Sequence, residues 1–450
     1  MAALRGASLC QLANVCEPWT PTRLLEPTTH GTNSRRRSYP MSVTFWAFLT
    51  QVMSPGSPCR EIVRKVQAWH ATRQLPIPSS STGAYCQARS RLPLDSLLSI
   101  QSHTAAELQR CVRSDQLWLG RHVKVVDGTG VSMPDTPENQ EVWPQSRNQT
   151  KGCGFPIAKL VGCFCLSSGA LLDLAEGNQH IHESQLFRKQ FGLFNPGDVA
   201  LTDRGFCSYS SIAELLAKGV DTVMRIHHNR PTDFRKGKRL GLKDRLVTWT
   251  KPRYRPKGFT KRQWNALPES LTLRILHIQV EIPGFRTESI VVVTTLTDPT
   301  AYPAEELAKL YLRRWSVELF FRDIKITLGM DVLRCRTPDM VRKEIALHVI
   351  AYNLLRGLMQ KAAALYEVDL TRLSFKGSVD ALRQWTDIFN AAHSKPREQR
   401  RLFDHLLQII ADDTVPYRPE RSEPRVRKRR PKNYRLMTRP RHQNVPGESS

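Results

Sequence analysis

Between about residues 120 and 227 the chain is cut by turn residues into short β-prone runs, and that texture restricts the folds open to it. The runs are HVKVVDGTGVSM, IAKLVGCFCLSS, ALLDLAEG, DVALTDRG and VDTVMRI, bounded by Gly, Asp and Asn. The first three succeed one another directly. Helical stretches then intervene, HESQLFRKQFG before the fourth run and SSIAELLAKG after it. Three strands followed by alternating helix and strand fit an α/β fold built on a mixed sheet. Asp127 stands at the end of the first strand and Asp203 at the end of the fourth. If those strands are neighbours, the two carboxylates meet.

On either side the pattern changes. Residues 1–40 are rich in Pro, Thr, Ser and Arg and read as a disordered lead-in. Residues 41–119 read as a helical N-terminal domain: VTFWAFLTQVM, CREIVRKVQAWHATR and LDSLLSIQSHTAAELQRCV, broken at PGSP and LPIPSSSTG. Its Arg60, Arg64, Lys65 and Arg73 suit DNA binding and, equally, an ordinary solvated basic face. The span 120–370 is expected to form one α/β domain, interrupted at about 228–298 by a β-rich insertion. The first half of that insertion is basic and interleaved with Trp249, Tyr254, Phe259 and Trp264; the second half, LTLRILHIQVEI and ESIVVVTTL, alternates like a hairpin. Aromatics among cations suit phosphate contacts and base stacking, and also a solvated hairpin with a few core rings. MVRKEIALHVIAYNLLRGLMQKAAAL reads as a core helix, and 371–450 as a C-terminal helical segment with a basic, Pro-containing tail.

With 67 Lys and Arg against 41 Asp and Glu, the chain carries a formal charge of +26. Such an excess points to a polyanionic partner, most simply nucleic acid; acidic membrane surfaces and ribosomes are the plainer alternatives. The ten cysteines form no CxxC pair and no zinc spacing, which fits reduced thiols in a cytoplasmic protein. No run approaches a membrane span, and no secretory signal is evident.

The segment YLRRWSVELFFRDIK belongs to a long helix expected to start near Pro303. At about 100° per residue, Tyr311, Arg314, Glu318 and Lys325 fall within roughly 60° of one another. Each acid has a plainer explanation taken alone. Asp127-Gly128 is turn chemistry, Asp203-Arg204 suits a salt-bridged turn, and Glu318 with Arg322 suits a surface ion pair. Taken together, two strand-end acids and a helix acid are what a two-metal phosphodiester-cleaving site requires. Asp127, Asp203 and Glu318 would hold Mg²⁺. Arg314 and Lys325 would neutralise phosphate, and Tyr311 would hydrogen-bond it. Asp135, Glu138, Asp173, Glu176, Asp198 and Asp323 are expected to take no part.

Asp127-Gly128-Thr129, Asp203-Arg204-Gly205-Phe206 and the Tyr-x2-Arg-x3-Glu-x6-Lys pattern at 311, 314, 318 and 325 resemble the signature regions of insertion-sequence-four-family DDE transposases. The resemblance spans roughly residues 40 to 370. It implies an RNase H-like catalytic domain interrupted before the catalytic Glu. It also implies two Mg²⁺ ions (Mn²⁺ substituting) held by Asp127, Asp203 and Glu318. Terminal DNA would be contacted by Tyr311, Arg314 and Lys325. The implied activity is cut-and-paste movement of the encoding element at its terminal inverted repeats, by a homodimer in a synaptic complex on double-stranded DNA. The implied setting is the bacterial nucleoid, with no membrane. Relatives can stack an insertion-domain Trp on a flipped base, which makes Trp249 and Trp264 candidates. His180 and His182, before a helix, read as polar loop residues, with approach to the site as the alternative. A nuclease without strand transfer and a catalytically silent DNA-binding derivative are the alternatives.

Overall fold

Proline sets where the first helices begin. Pro40, Pro58 and Pro93 immediately precede α1 (Met41–Met53), α2 (Cys59–Thr72) and α4 (Leu94–Arg110), with α3 (Gly83–Arg91) between the last two. A residue with fixed φ and no N–H is well suited to a helix start. The computed structural model in which these elements are seen describes residues 16, 19–26, 38–227, 230, 232–280, 289–392, 395–416 and 437–440. Most of the expected lead-in and basic tail lies outside the described residues. Where the lead-in is described, it corrects the expectation of disorder: Trp19, Leu25 and Tyr39 are at most 6% exposed and join the core. Trp19 and Leu108 both lie against Gly357, and the Trp19 carbonyl accepts the Thr104 hydroxyl at 2.8 Å. The apolar gain from burying one indole outweighs the polar composition around it.

After a short α5 (Pro137–Val142), the central strands form as their apolar runs predict. β1 (Val123–Ser132) pairs antiparallel with β2 (Ile157–Cys165), and β2 with β3 (Leu171–Gly177). Helices α6 (Glu183–Lys189) and α7 (Tyr209–Ala217) flank β4 (Val199–Thr202), and β5 (Asp221–Arg225) follows. β4 runs parallel to both β1 and β5. All of β4 is buried, as a parallel strand covered on both faces should be. The order β3-β2-β1-β4-β5, a three-stranded meander followed by two parallel strands, is the RNase H-like arrangement.

The interruption is β-rich as expected, and it does not stand apart. β6 (Lys238–Gly241), β7 (Asp244–Thr250), the short α8 (Lys261–Asn265), β8 (Ser270–Gln279) and β9 (Ser289–Thr294) follow in turn. β8 and β9 form the expected hairpin, and β9 pairs antiparallel with β5. The result is one nine-stranded sheet ordered β3-β2-β1-β4-β5-β9-β8-β7-β6. Arg274 on β8, 1% exposed, forks onto both carboxylate oxygens of Asp244 at 2.9 and 2.6 Å and ties the added strands together.

Downstream the expected single helix is broken. α9 (Ala304–Arg313) starts after Pro303 as predicted, but α10 (Ser316–Arg322) is a separate segment, followed by a π-helical turn (Asp323–Thr327). Arg314, Trp315, Val317 and Glu318 all donate backbone N–H groups three residues back, to Tyr311, Leu312, Arg314 and Trp315. The chain is therefore overwound at the acid and underwound at Lys325, with neither Gly nor Pro marking the change. α10 lies close over the sheet because Gly162, opposite Asp127 in register, has no side chain. A Cβ there would come within 2.9 Å of the Phe321 ring. The 28-residue α11 (Pro338–Leu365) is the predicted core helix; α1 and α4 pack on it, so the N-terminal helices share one core with the sheet. α12 (Phe375–Ala391) and α13 (Pro396–Asp412) complete the described chain.

Candidate active site

Strand register brings the first two acids together. β1 and β4 pair from Val123 with Val199 to Val126 with Thr202, so Asp127 and Asp203 occupy the next step of the same ladder. The reading of Asp127 as a strand-end residue needs correcting: β1 continues to Ser132, paired throughout with β2. What ends at Asp127 is the shorter pairing with β4, which opens the sheet on that side. Asp127 Oδ1 accepts the Gly128 N–H at 2.8 Å. Burial pushes its carboxyl up to about 6, reinforced by Asp203 and Glu318 and opposed by the Gly128 N–H and Arg314. Asp203 Oδ1 is buried and has no hydrogen-bond partner.

α10 supplies the third acid across the gap. Arg314 Nη1 is 3.4 Å from Asp127 Oδ2, and its Nη2 is 3.7 Å from Glu318 Oε1. The guanidinium thus bridges the strand acid and the helix acid. Although burial opposes its charge, Tyr311, Asp203, Asp127 and Glu318 together raise the Arg314 pKa. Lys325 reaches the same strand two residues further on, donating to Thr129 Oγ1 at 3.2 Å and pairing with Asp331 at 3.1 Å. The helical stripe does converge on β1, despite the broken helix. Tyr311 is placed differently from the expectation of a DNA-facing phenol. It is 5% exposed, and its hydroxyl has no hydrogen-bond partner. Burial and Asp203 raise its pKa, while Arg314 and Arg225 oppose the rise.

Carboxylates are hard donors of the kind Mg²⁺ takes. The partnerless Asp203 Oδ1, buried beside a raised Asp127, is an acceptor that a cation would satisfy. The donor set therefore fits a divalent metal. Among the described residues no three His, Cys, Asp or Glu side chains are yet drawn together tightly enough to grip one, and Arg314 stands between two of the acids. One neighbour escaped the sequence reading. The Glu183 carboxylate, in the first turn of α6, lies 2.8–2.9 Å from where a Gly128 Cβ would be. It also lies 3.9 Å from where a Gly205 Cβ would be. HESQ reads as an ordinary helix start, and only the return of the chain from β3 brings it to the site.

The remaining candidates separate cleanly. Trp264 is 7% exposed and packs edge-on to Phe259, which removes it as a free stacking platform. Trp249 is half-buried, with the Arg230 guanidinium 3.6 Å above its ring. His182 caps α6, its Nδ1 accepting from the Ser184 N–H at 3.3 Å, and His180 is exposed in the loop before it. Asp198 pairs with buried Lys124 at 2.6 Å, and Glu176 with Arg342 at 2.6 Å. Asp173 and Asp135 accept from Gln190 and Gln140, and Glu138 is exposed. Asp323 is buried on another side of the helix, beside Arg322 and Arg356.

A mixed sheet of this order, with acids on β1, after β4 and on a later helix, places the chain in the RNase H-like class. The Transposase DDE domain family matches residues 118–354, and the chain belongs to that family. The chain is 26% identical over 405 residues to the transposase InsG of insertion sequence element IS4 from Escherichia coli strain K12, covering 89% of this chain and 88% of that protein. Over 71 residues it is 31% identical to the transposase of insertion sequence element IS421 from Escherichia coli, covering 16% of this chain and 19% of that one. A cryo-EM structure of the piggyBac transposase synaptic complex with hairpin DNA aligns over 93% of this chain and 88% of its own, at 10% identity and a TM-score of 0.44. The resemblance to insertion-sequence-four transposases is borne out, and the chain is a DNA-binding, divalent-metal-dependent DNA transposase.

Proposed function

We propose that this transposase moves its own insertion sequence by cut and paste, cleaving at terminal inverted repeats and joining the freed 3′ ends to target DNA. The observation that carries the reading is the in-register pair Asp127 and Asp203, faced by Glu318 across Arg314. These three acids would hold two Mg²⁺ ions. Held there, they would supply activation of the attacking oxygen and charge stabilisation of the leaving one at phosphorus.

The chain's own residues divide the remaining work. Arg314 is the counter-charge of Asp127 and Glu318, and its guanidinium would supply paired donors to a phosphate that enters between them. Lys325, held by Thr129 and Asp331, fixes a second phosphate along the strand. Tyr311, 5% exposed and with its ring 6.0 Å from the Arg314 guanidinium, would steady that side chain beside the terminal DNA. A homodimer pairing two transposon ends is the assembly that the family resemblance implies.

The test is a plasmid carrying the element's terminal repeats, incubated with protein and Mg²⁺. Excision followed by joining supports the proposal; cleavage indifferent to the repeats makes the protein a simple nuclease. Glu318→Gln should lower cleavage by at least about 10²-fold while leaving repeat binding within a few-fold of wild type.

A further inference from the structure

Glu183 is an acid near the candidate site that the assigned roles leave unused. Its place is unusual. Successive residues of a strand face opposite sides, so Asp127 points toward α10 and Gly128 points away from it. Glu183 fills the space on that second side. Its carboxylate comes to 2.8 Å from the position a Gly128 Cβ would take and 3.9 Å from that of Gly205. Gly128, in Asp127-Gly128-Thr129, thus leaves room for the carboxylate, and Gly205, in Asp203-Arg204-Gly205, lies at ordinary contact distance from it. Any larger residue at 128 would displace it.

Helix starts favour acids, and Glu183 is in a first turn, so capping alone could account for an acid at this position. Capping does not account for its close seat against Gly128. His182 already caps the helix through the Ser184 N–H, and Glu183 makes no hydrogen bond or ion pair with any described residue. Two buried groups point to what is missing there. Asp203 Oδ1 has no partner, and neither does the hydroxyl of Tyr311, which is 5% exposed and under the influence of Asp203. Arg314 contacts Asp127 and Glu318. Among the described residues no cation pairs with the Asp203 or the Glu183 carboxylate.

We propose that Glu183 is a fourth acidic ligand of the divalent-metal site, supplied by α6 from the face of the sheet opposite Glu318. The proposal rests on the metal-dependent reading above, and it goes beyond that reading in assigning a residue from outside the three signature regions. A ligand on each face would clamp an ion at the open end of the β1/β4 pairing. It would also explain why a glycine follows Asp127 within a strand, where a glycine ordinarily weakens the structure.

The experiment measures metal binding without catalysis. Mn²⁺ is titrated into the full-length protein in the absence of DNA and followed by calorimetry and by loss of the free-ion paramagnetic resonance signal. Asp127→Asn and Glu318→Gln are reference variants, and circular dichroism checks that each variant is folded. Glu183→Gln should weaken Mn²⁺ binding by about 10–100-fold. Gly128→Ala should weaken it similarly by pushing the carboxylate aside, and the double variant should be no worse than either alone. Wild-type affinity in folded Glu183→Gln, with weakened binding in Asp127→Asn and Glu318→Gln, overturns the assignment and leaves the three-acid site standing. If the reference variants also bind Mn²⁺ as wild type does, the metal-site reading fails and takes Glu183 with it.

Discussion

Two buried acids show how differently one residue type behaves in this chain. Asp198 is paired with Lys124 at 2.6 Å, and both side chains are at most 6% exposed. Lys124→Met strands a charge in the core beneath β1 and β4, and chemical denaturation should show a loss of about 3–5 kcal/mol. Asp323 has weaker relief, from the largely exposed Arg322 at 3.5 Å. Burial pushes its carboxyl from 3.8 to about 6, against the pull of Arg322 and Arg356. The native state therefore keeps a proton that the unfolded chain releases, so this group's contribution is fully present below about pH 4 and is lost as pH rises through about 6. Asp323→Asn removes that loss. The variant should be more stable than wild type at pH 7.5 by on the order of 1–3 kcal/mol, and the advantage should vanish near pH 4. An unchanged difference across that range would refute the assignment. At this scale the sequence was informative where chemistry is unusual for its setting: Asp127, Asp203 and Glu318 stand out as acids beside apolar runs. It was silent where the role depends on the path of the chain. Glu183 sits in a plain helix start, and the burial of Tyr311 is a property of its neighbours rather than of its helical angle.

Elements explain why the helical stripe was legible and the helix itself was not. Periodicity reports which side chains share a face, and Arg314 and Lys325 do meet the same strand. It does not report local winding, because a shift from four-back to three-back hydrogen bonds at Arg314–Glu318 requires no special residue. The seating of α10 depends instead on Gly162, whose significance appears only once β2 lies opposite Asp127. Gly162→Val would drive side-chain atoms into Phe164 and Phe321 and lift the segment that carries Glu318. Repeat-dependent cleavage should fall far more than DNA binding, with stability lower by about 1–3 kcal/mol. If cleavage survives intact, α10 is not held by that packing.

At the scale of the molecule, the interruption and the catalytic sheet are one hydrogen-bonded body. The composition of 228–298 announced strands, but pairing partners are set by tertiary position, so the junction of β9 with β5 could not be read in advance. Replacing residues 230–295 with a short linker would leave the β5 edge open. The shortened protein should aggregate on size-exclusion chromatography, where a detachable module would leave a well-behaved remainder. Charge acts over the same scale. With a net +26, DNA affinity should fall steeply with salt. Truncation after Pro416 should make that slope shallower by about 0.9 for each phosphate that the removed tail neutralises.

The short pairing of β1 with β4 carries a consequence for how such a chain can change. Val123 to Asp127 and Val199 to Asp203 are stretches of equal length, laid side by side from a common start. The two acids face each other because the counts agree in parity as well as in number. One residue added to β4 would turn Asp203 to the far face of the sheet. Two would restore the face and carry the carboxylate about 7 Å away. Substitutions can weaken this pair by degrees, but length changes inside either stretch are all-or-none, whereas the loops between them are free to drift.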